Sequence, residues 1–161
     1  MCNLAPCPAN PLRQPLIESP ILIETVSVVF QTMMGLDIVP VEAAGSDASR
    51  GIVARIFFSG SWRGALMLET PPPLACFFAA RFLTMDAPQS VDSDVRDVLG
   101  EIVNIISGNV KCGLPSGAML STPEVLDVPD FGTGVAHTIS QTQAFSCCEG
   151  CFRISLVPRP S

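Results

Sequence analysis

The sequence predicts an α+β fold, in which about three helices pack on one face of a mainly antiparallel β-sheet. The first observation is helical periodicity: in three segments, apolar residues recur every three to four positions. The second is a set of short runs rich in β-branched and aromatic residues, which alternate with turns that contain Gly and Pro. The order of the strands in the sheet does not follow from either pattern.

The first part of the chain predicts an arm followed by a helix. Residues 1–17 contain four prolines and no apolar periodicity, so we expect a disordered Pro-rich arm. Residues 18–157 are expected to form a single domain, because about 140 residues suffice to bury one core. A helix is expected from Pro20, since proline is tolerated in a first turn, to Gly35, a typical C-terminal stop.

Strands and turns are expected next. Leu36–Glu42 is predicted to be a short strand interrupted at Pro40, and Gly45–Arg50 a turn. Two apolar, partly alternating runs, Gly51–Ser59 and Arg63–Thr70, are separated by a glycine-rich connection, which predicts a β-hairpin.

Two further helices follow the hairpin. Three consecutive prolines end the second strand and precede a helix over Leu74–Met85. A central helix is expected between Val91 and Gly113, with Asp92 or Ser93 as its N-cap. Beyond it the pattern returns to strands joined by loops rich in Pro and Gly. The expected strands are Gly117–Ser121, Val135–Ser140 and Cys151–Val157.

Composition and charge exclude several classes of protein. The net charge of −6, with only nine scattered Lys and Arg residues, argues against nucleic acid as a partner. No apolar run approaches the roughly 18 residues of a membrane-spanning helix, so no membrane segment is predicted. The amino terminus lacks the apolar core of a signal peptide, and a cytoplasmic location is therefore expected.

Seven cysteines without a secretion signal indicate free thiols rather than a disulfide framework. Cys76 and Cys112 lie in apolar helical contexts and are expected to be small core residues. Cys147, Cys148 and Cys151 form one C-x-x-C, but no further ligands lie at a zinc-site spacing. We interpret them as thiols on a turn between two strands, with metal or redox chemistry as the alternative. No metal site is predicted.

The central helix carries the candidate chemistry. Its expected buried face comprises Val95, Val98, Leu99, Ile102, Val103, Ile105, Ile106 and Val110. A polar stripe follows the opposite side at helical spacing: Asp97, Glu101, Asn104, Gly108 and Lys111. It places a carboxylate and a carboxamide one turn apart on the exposed side. Since Asn is unfavourable within a helix, solubility alone does not explain Asn104.

The residue types at this stripe narrow the chemistry. No nucleophile with a neighbouring histidine and no glycine-rich nucleotide loop is present, and the only histidine, His137, is isolated. Asp97 and Glu101 lie on an open surface without a sugar cleft, which disfavours glycoside hydrolysis. A carboxamide, however, donates and accepts hydrogen bonds at once and can orient a water molecule, as in phosphoryl hydrolysis.

The helix resembles the signature helix of the CheC/CheX/FliY family of chemotaxis phosphatases. That signature is an Asp or Ser, three residues, Glu, two residues and Asn, matched here by Asp97, Glu101 and Asn104. The order of elements also matches that of the family: an N-terminal helix, the FSGSWRGALML hairpin and a helix after the prolines. The first helix offers Glu24 but has Ser27 where a second Asn would stand. The chain therefore has one such pair of residues, and in this respect it resembles the CheX-like branch of the family.

The resemblance implies a protein phosphatase that hydrolyses the phospho-aspartate of a CheY-like response-regulator receiver domain. Asn104 would position the attacking water, and Glu101 would pair with the receiver's active-site lysine. Asp97 and Gly108 are expected to contribute to partner binding. The Mg²⁺ would belong to the receiver, so no cofactor of the chain's own is expected. The resemblance also implies a homodimer formed by sheet extension.

Two other classes of function stay open at this stage. The first is a non-catalytic adaptor that binds a receiver or another signalling partner through the same helix. The second is a structural component related to the flagellar switch, which would bury the stripe against a partner. Exposure of Asn104 beside Glu101 in the folded chain would favour an enzyme or an adaptor over the structural component.

Overall fold

Within the described residues every strand pair is antiparallel, and three helices cover one face of the sheet, as the sequence predicts. This computed structural model describes residues 17–42, 51–128 and 141–159. The elements are α1 (Ser19–Met34), β1 (Val39–Val41), β2 (Gly51–Gly60), β3 (Gly64–Thr70), α2 (Pro72–Leu83), α3 (Ser93–Lys111), β4 (Ala118–Leu120), β5 (Glu124–Val128), β6 (Gln141–Cys147) and β7 (Gly150–Pro158).

The strand order is β1-β6-β7-β3-β2-β4, and β5 also pairs with β2. The two hairpins, β2–β3 and β6–β7, are adjacent in the sheet because β3 pairs with β7 along most of its length. On the other side of the sheet, both β4 and β5 pair with β2. The strand β4 lies beside the end of β2, and β5 lies beside its start.

The core lies between the sheet and the helices. Alternate residues of the central strands, such as Ile52 and Ile56 of β2, face the helices and are almost fully buried. Phe30 of α1 stacks on Phe152 of β7, with ring centroids 4.7 Å apart, and Phe78 of α2 meets both rings edge-on. This aromatic cluster joins the two outer helices to the sheet.

Some expected segments lie outside the described residues. These are residues 1–16 of the arm, the turn over Gly45–Arg50 and the strand over Val135–Ser140. Ile17, the last residue of the expected arm, is described and is buried in the core.

Three differences from the sequence prediction concern strands. Pro40 does not interrupt β1 but pairs within it, opposite Phe145. A proline is tolerated there because β1 pairs on only one side within the described residues, so the missing N–H can face outward. The sequence prediction places a loop around Pro123 and Pro129, where β5 forms, and assigns no strand to the residues of β6. Both segments nevertheless pair in the sheet, because strand formation depends on the neighbouring strands more than on local preference.

The second helix also differs in its bounds. It begins at Pro72 rather than Leu74, because the first turn of a helix needs no N–H donors and accepts proline. It ends at Leu83, two residues before the expected Met85, and Thr84 adopts a left-handed conformation as the C-cap.

The first helix ends as expected at Gly35, whose backbone φ of 62° suits glycine. The side chain of Arg81 on α2 stabilises this end. Its Nε donates to the carbonyl of Met34 at 3.1 Å, and its Nη2 donates to the carbonyl of Gly35 at 3.1 Å. These contacts satisfy carbonyl groups that have no partner within α1 and link α1 to α2.

Candidate functional site

The candidate site is carried by α3, and its first turn is capped by a side chain. Asp92 is the N-cap, and its Oδ1 accepts a hydrogen bond from the backbone N–H of Val95 at 2.9 Å. Asp94 adds a negative charge to the first turn and Lys111 a positive charge to the last, both favourable toward the helix dipole.

The inner face of α3 is held in the core. Of the eight apolar residues expected there, seven are buried and Ile105 is partly exposed. The structure adds two small residues to the buried set, Gly100 and Ser107. Burial of this size and continuity fixes the rotation of the helix about its axis and therefore fixes which residues face outward.

One flank of α3 is attached to β5 and to the segment before it. The Arg96 guanidinium donates to Asp127 of β5 at 2.8 Å; the Arg96 side chain is partly exposed and that of Asp127 is exposed. A Cβ added at Gly100 would lie 3.5 Å from the ring of Pro123, an ordinary contact distance, so this segment packs closely on the helix at Gly100. These contacts do not follow from the sequence patterns. A glycine in the middle of a helix was the available signal, because helices disfavour it.

The residues of the polar stripe lie at the surface. Asp97, Glu101, Asn104 and Lys111 are exposed, and Gly108 is partly exposed. Helix geometry separates Glu101 from Asn104 by about 4.5 Å along the axis and about 60° around it. Asp97 and Gly108 extend the stripe by one turn on either side. The helix therefore brings all the predicted site residues onto one outward face.

No other described residue binds the functional groups of Glu101 and Asn104. Among the described residues, neither side chain takes part in a hydrogen bond or an ion pair. Asn109, on the same helix, differs: its Nδ2 donates to the carbonyl of Ile105 at 2.9 Å. The carboxylate of Glu101 and the carboxamide of Asn104 are thus free to bind a partner, one group as an anion and the other as both donor and acceptor.

The first helix presents no equivalent pair. Glu24 is exposed on α1, but the residue three positions later is Ser27, which is partly buried. A serine hydroxyl is shorter than a carboxamide and lies closer to its own backbone. Within the described residues, α3 is the helix that carries both groups.

The cysteine cluster lies at the β6–β7 turn, as expected. Cys147 ends β6 and is partly buried, whereas Cys148 in the turn and Cys151 in β7 are exposed. Burial raises the pKa of the Cys147 thiol. Cys76 is buried as predicted, and desolvation, with a smaller contribution from the Asp92 charge, raises its pKa. The expectation for Cys112 is wrong: it follows the last residue of α3 and is exposed.

The described part of the chain offers no metal cluster and one open depression. No group of three or more His, Cys, Asp or Glu side chains there is arranged to hold a metal ion. One open depression of about 790 Å³ lies at the C-terminal ends of α1 and α2, lined by Met33, Arg81 and Met85 among others, and not at the stripe. None of the described helices has both the length and the apolar character needed to cross a membrane.

Known structures share this fold. Chemotaxis protein CheX from Vibrio vulnificus is 21% identical and has a TM-score of 0.73, covering 90% of this chain and 99% of its own. CheX from Borrelia burgdorferi, solved as a CheX–CheY–BeF₃–Mg²⁺ complex, is 15% identical with a TM-score of 0.69, covering 91% and 100%. FliY from Thermotoga maritima is 12% identical with a TM-score of 0.59, covering 85% and 84%.

The sequence itself supports the same family. No curated protein sequence matches the chain. The sequence model of the family described as chemotaxis phosphatase CheX, however, matches residues 52–148, which is more than half of the 161 residues. The matched region contains the hairpin, α2, the whole of α3 and the stripe. The chain therefore belongs to the CheX family of chemotaxis phosphatases.

Proposed function

We propose that this chain hydrolyses the acyl phosphate of a phosphorylated response-regulator receiver domain. The observation that carries the proposal is the pair of Glu101 and Asn104, exposed, without partners in the described chain, and one turn apart on a helix whose inner face is held in the core. Membership of a family named for chemotaxis phosphatases supports the class of reaction. By analogy with the Borrelia burgdorferi protein solved with CheY, the substrate is a CheY-like receiver.

Asn104 is the proposed water-positioning residue. Its carboxamide accepts a hydrogen bond through oxygen and donates through nitrogen, so one side chain can hold a water molecule on the line of attack. The water oxygen attacks phosphorus, the bond from phosphorus to the aspartyl oxygen breaks, and inorganic phosphate and the free carboxylate are released. Because an acyl phosphate is already reactive, orientation of the water contributes most of what the chain supplies.

Glu101 is the proposed docking residue. An exposed carboxylate beside Asn104 matches a cationic group, and the family resemblance identifies that group as the receiver's active-site lysine. The ion pair would fix the register of the two proteins so that Asn104 enters the site at the phosphorylated aspartate. Asp97, one turn away, adds a second negative charge toward the same partner. The Mg²⁺ is supplied by the receiver in this proposal, and the chain adds no metal ligand.

A dephosphorylation assay tests the proposal. Receiver domains from the same genome are phosphorylated with acetyl phosphate, and acyl-phosphate decay is followed with catalytic amounts of the chain. The wild-type chain should accelerate decay of at least one receiver. Asn104→Ala should lose about a hundredfold or more in kcat, the range seen when a group that positions a reactant is removed.

The matched control is Asn109→Ala, which removes a carboxamide from the same helix on a different side. It should retain activity within about twofold. If no receiver decays faster with the wild-type chain, the proposed hydrolysis is wrong. If Asn104→Ala accelerates decay as well as wild type, Asn104 does not position the water. If the wild-type chain binds the phosphorylated receiver without accelerating decay, the chain is an adaptor.

The exposure of the stripe bears on the remaining alternative. A structural component of the flagellar switch would use this face in a permanent contact, and such contacts are rich in apolar side chains. The stripe instead presents two carboxylates, a carboxamide and a lysine. These groups suit a transient, polar contact with a charged partner, which favours an enzyme or an adaptor over the structural component.

We also propose that the chain is a cytoplasmic homodimer. Phosphorylated receivers act in the cytoplasm, and the family resemblance implies dimers formed by sheet extension. Among the described strands, the sheet ends at β1 on one side and at β4 and β5 on the other, and β5, with five residues, is the longest of the three. Light scattering after gel filtration should give twice the 17.0 kDa chain mass, and a monomer at micromolar concentration would contradict this.

A further inference from the structure

The fold gives no reason for a glycine at position 108. A Cβ built on Gly108 meets no atom within 4 Å, so no neighbouring side chain or strand excludes a larger residue. The backbone there is ordinary right-handed helix, because Gly108 is not among the glycines with positive φ. Since glycine is among the least favourable residues in a helix, its presence weakens α3 without a compensating contact in the described chain.

Two other glycines lie beside atoms of the chain. At Gly64 a Cβ would lie 2.6 Å from the carbonyl oxygen of Val157 and would overlap the Trp62 ring, so only glycine fits. At Gly100 a Cβ would meet Pro123 at 3.5 Å, an ordinary contact distance, so this buried position accepts a Cβ. Gly108 is different because the space beside it is open. No atom of the described residues therefore accounts for a glycine at position 108.

The position of Gly108 indicates what would occupy that space. Residue 108 lies one turn after Asn104 on the same face of α3, since i and i+4 are neighbours. Helical side chains lean toward the N-terminus, so a side chain at position 108 would cover the surface over the preceding turn. That surface is the one occupied by Asn104. A residue larger than glycine would project beside the carboxamide on the side from which a docking protein must approach.

We propose that Gly108 provides clearance for the receiver, allowing its backbone to approach α3 beside Asn104. The role is positioning rather than catalysis, because Gly108 supplies no functional group. The inference rests on the proposed phosphatase function and adds a determinant of receiver docking. Glycine lowers the intrinsic stability of the helix at this position. In return, the Asn104 carboxamide can come closer to the phosphorylated aspartate of the receiver.

A graded series of substitutions tests this inference. Gly108→Ala should raise the melting temperature by about 1–4 °C, because alanine favours the helix and meets no obstacle. It should nevertheless lower kcat/KM for the phosphorylated receiver about tenfold, and Gly108→Leu should lower it about a hundredfold or more. Greater stability with lower activity is the combination that a merely structural role does not produce.

Two controls separate clearance from helix propensity and from added bulk. Gly100→Ala makes the same change on the same helix but beneath Pro123, and should keep kcat/KM within about twofold. Asn109→Leu adds bulk to an exposed position about 100° further round the helix, outside the stripe, and should also keep activity.

The outcomes distinguish the two proposals. If wild type accelerates decay of the receiver's acyl phosphate and Gly108→Leu does so equally well, the clearance role is wrong and the phosphatase function stands. If Gly108→Ala loses stability as well as activity, position 108 has a structural role and the inference is also wrong. If wild type acts on no receiver, both proposals are overturned.

Discussion

The Asp92 carboxylate accepts a hydrogen bond from the backbone N–H of Val95, and this contact begins the helix that carries Glu101 and Asn104. Replacing Asp92 with Ala should lower the free energy of unfolding by about 1 kcal/mol, since an N–H at the helix start loses its acceptor. Urea denaturation measures the change. Asp92→Ser keeps an acceptor and should retain most of the stability; equal losses in both variants would contradict a capping role.

Binding and chemistry should separate between the two central residues of the stripe. Asn104→Ala should bind a receiver activated with beryllofluoride with an affinity within about threefold of wild type, because in the proposal Asn104 orients water rather than protein. Glu101→Gln should weaken binding about tenfold, the effect of losing one desolvated ion pair at an interface. Titration calorimetry compares the two. If Asn104→Ala binds the receiver more weakly than Glu101→Gln does, the assignment of docking to Glu101 and of water orientation to Asn104 is wrong.

The contact between Arg81 and the end of α1 predicts a specific loss of stability. Arg81→Met should reduce the free energy of unfolding by about 1–2 kcal/mol, because the carbonyls of Met34 and Gly35 lose charged donors. Arg63→Met is the control, since Arg63 is exposed and its side chain makes no hydrogen bond or ion pair with the described residues. Equal effects of the two substitutions in urea would show that the capping contact contributes nothing.

Gly64 should tolerate no side chain. A Cβ there would lie 2.6 Å from the Val157 carbonyl and overlap the Trp62 ring, and the backbone of two paired strands cannot move apart without breaking the ladder. Gly64→Ala should therefore destabilise the protein by about 2 kcal/mol or more. Thermal unfolding monitored by circular dichroism gives the comparison with wild type. A melting temperature within a degree of wild type would refute the packing argument.

The thiols of the β6–β7 turn should differ in reactivity. Burial raises the pKa of Cys147, so at a given pH a smaller fraction is thiolate than for an ordinary cysteine. Cys147 should react with iodoacetamide more slowly than the exposed Cys148, because the Cys147 thiol is partly buried and its pKa is raised. Peptide mass spectrometry measures both rates in the folded protein. Equal rates in folded and urea-unfolded protein would contradict the effect of burial.

The predictions that held rest on patterns that are local in the chain. The amphipathic spacing of α3 predicted its buried face, and the helix places Asp97, Glu101 and Asn104 on its outward side. The hairpin of β2 and β3 and the turn among the cysteines followed from neighbouring residues in the same way. The family resemblance is confirmed by the match over residues 52–148. The roles of the site residues stay predictions, because exposure and spacing do not report catalysis.

The sequence alone determined that this chain builds amphipathic helices over an antiparallel sheet and that Glu101 and Asn104 share one exposed face of α3. These properties depend on the repeat of the helix and the alternation of the strand, which a few consecutive residues specify. Only the tertiary structure decided the strand order and the pairing of β5 with β2. The same holds for the contacts of Arg96 with Asp127 and of Arg81 with Met34, whose partners are 31 and 47 residues apart. The tertiary structure also left the space beside Gly108 empty. Packing of the whole core selects these relationships, and no local preference encodes them.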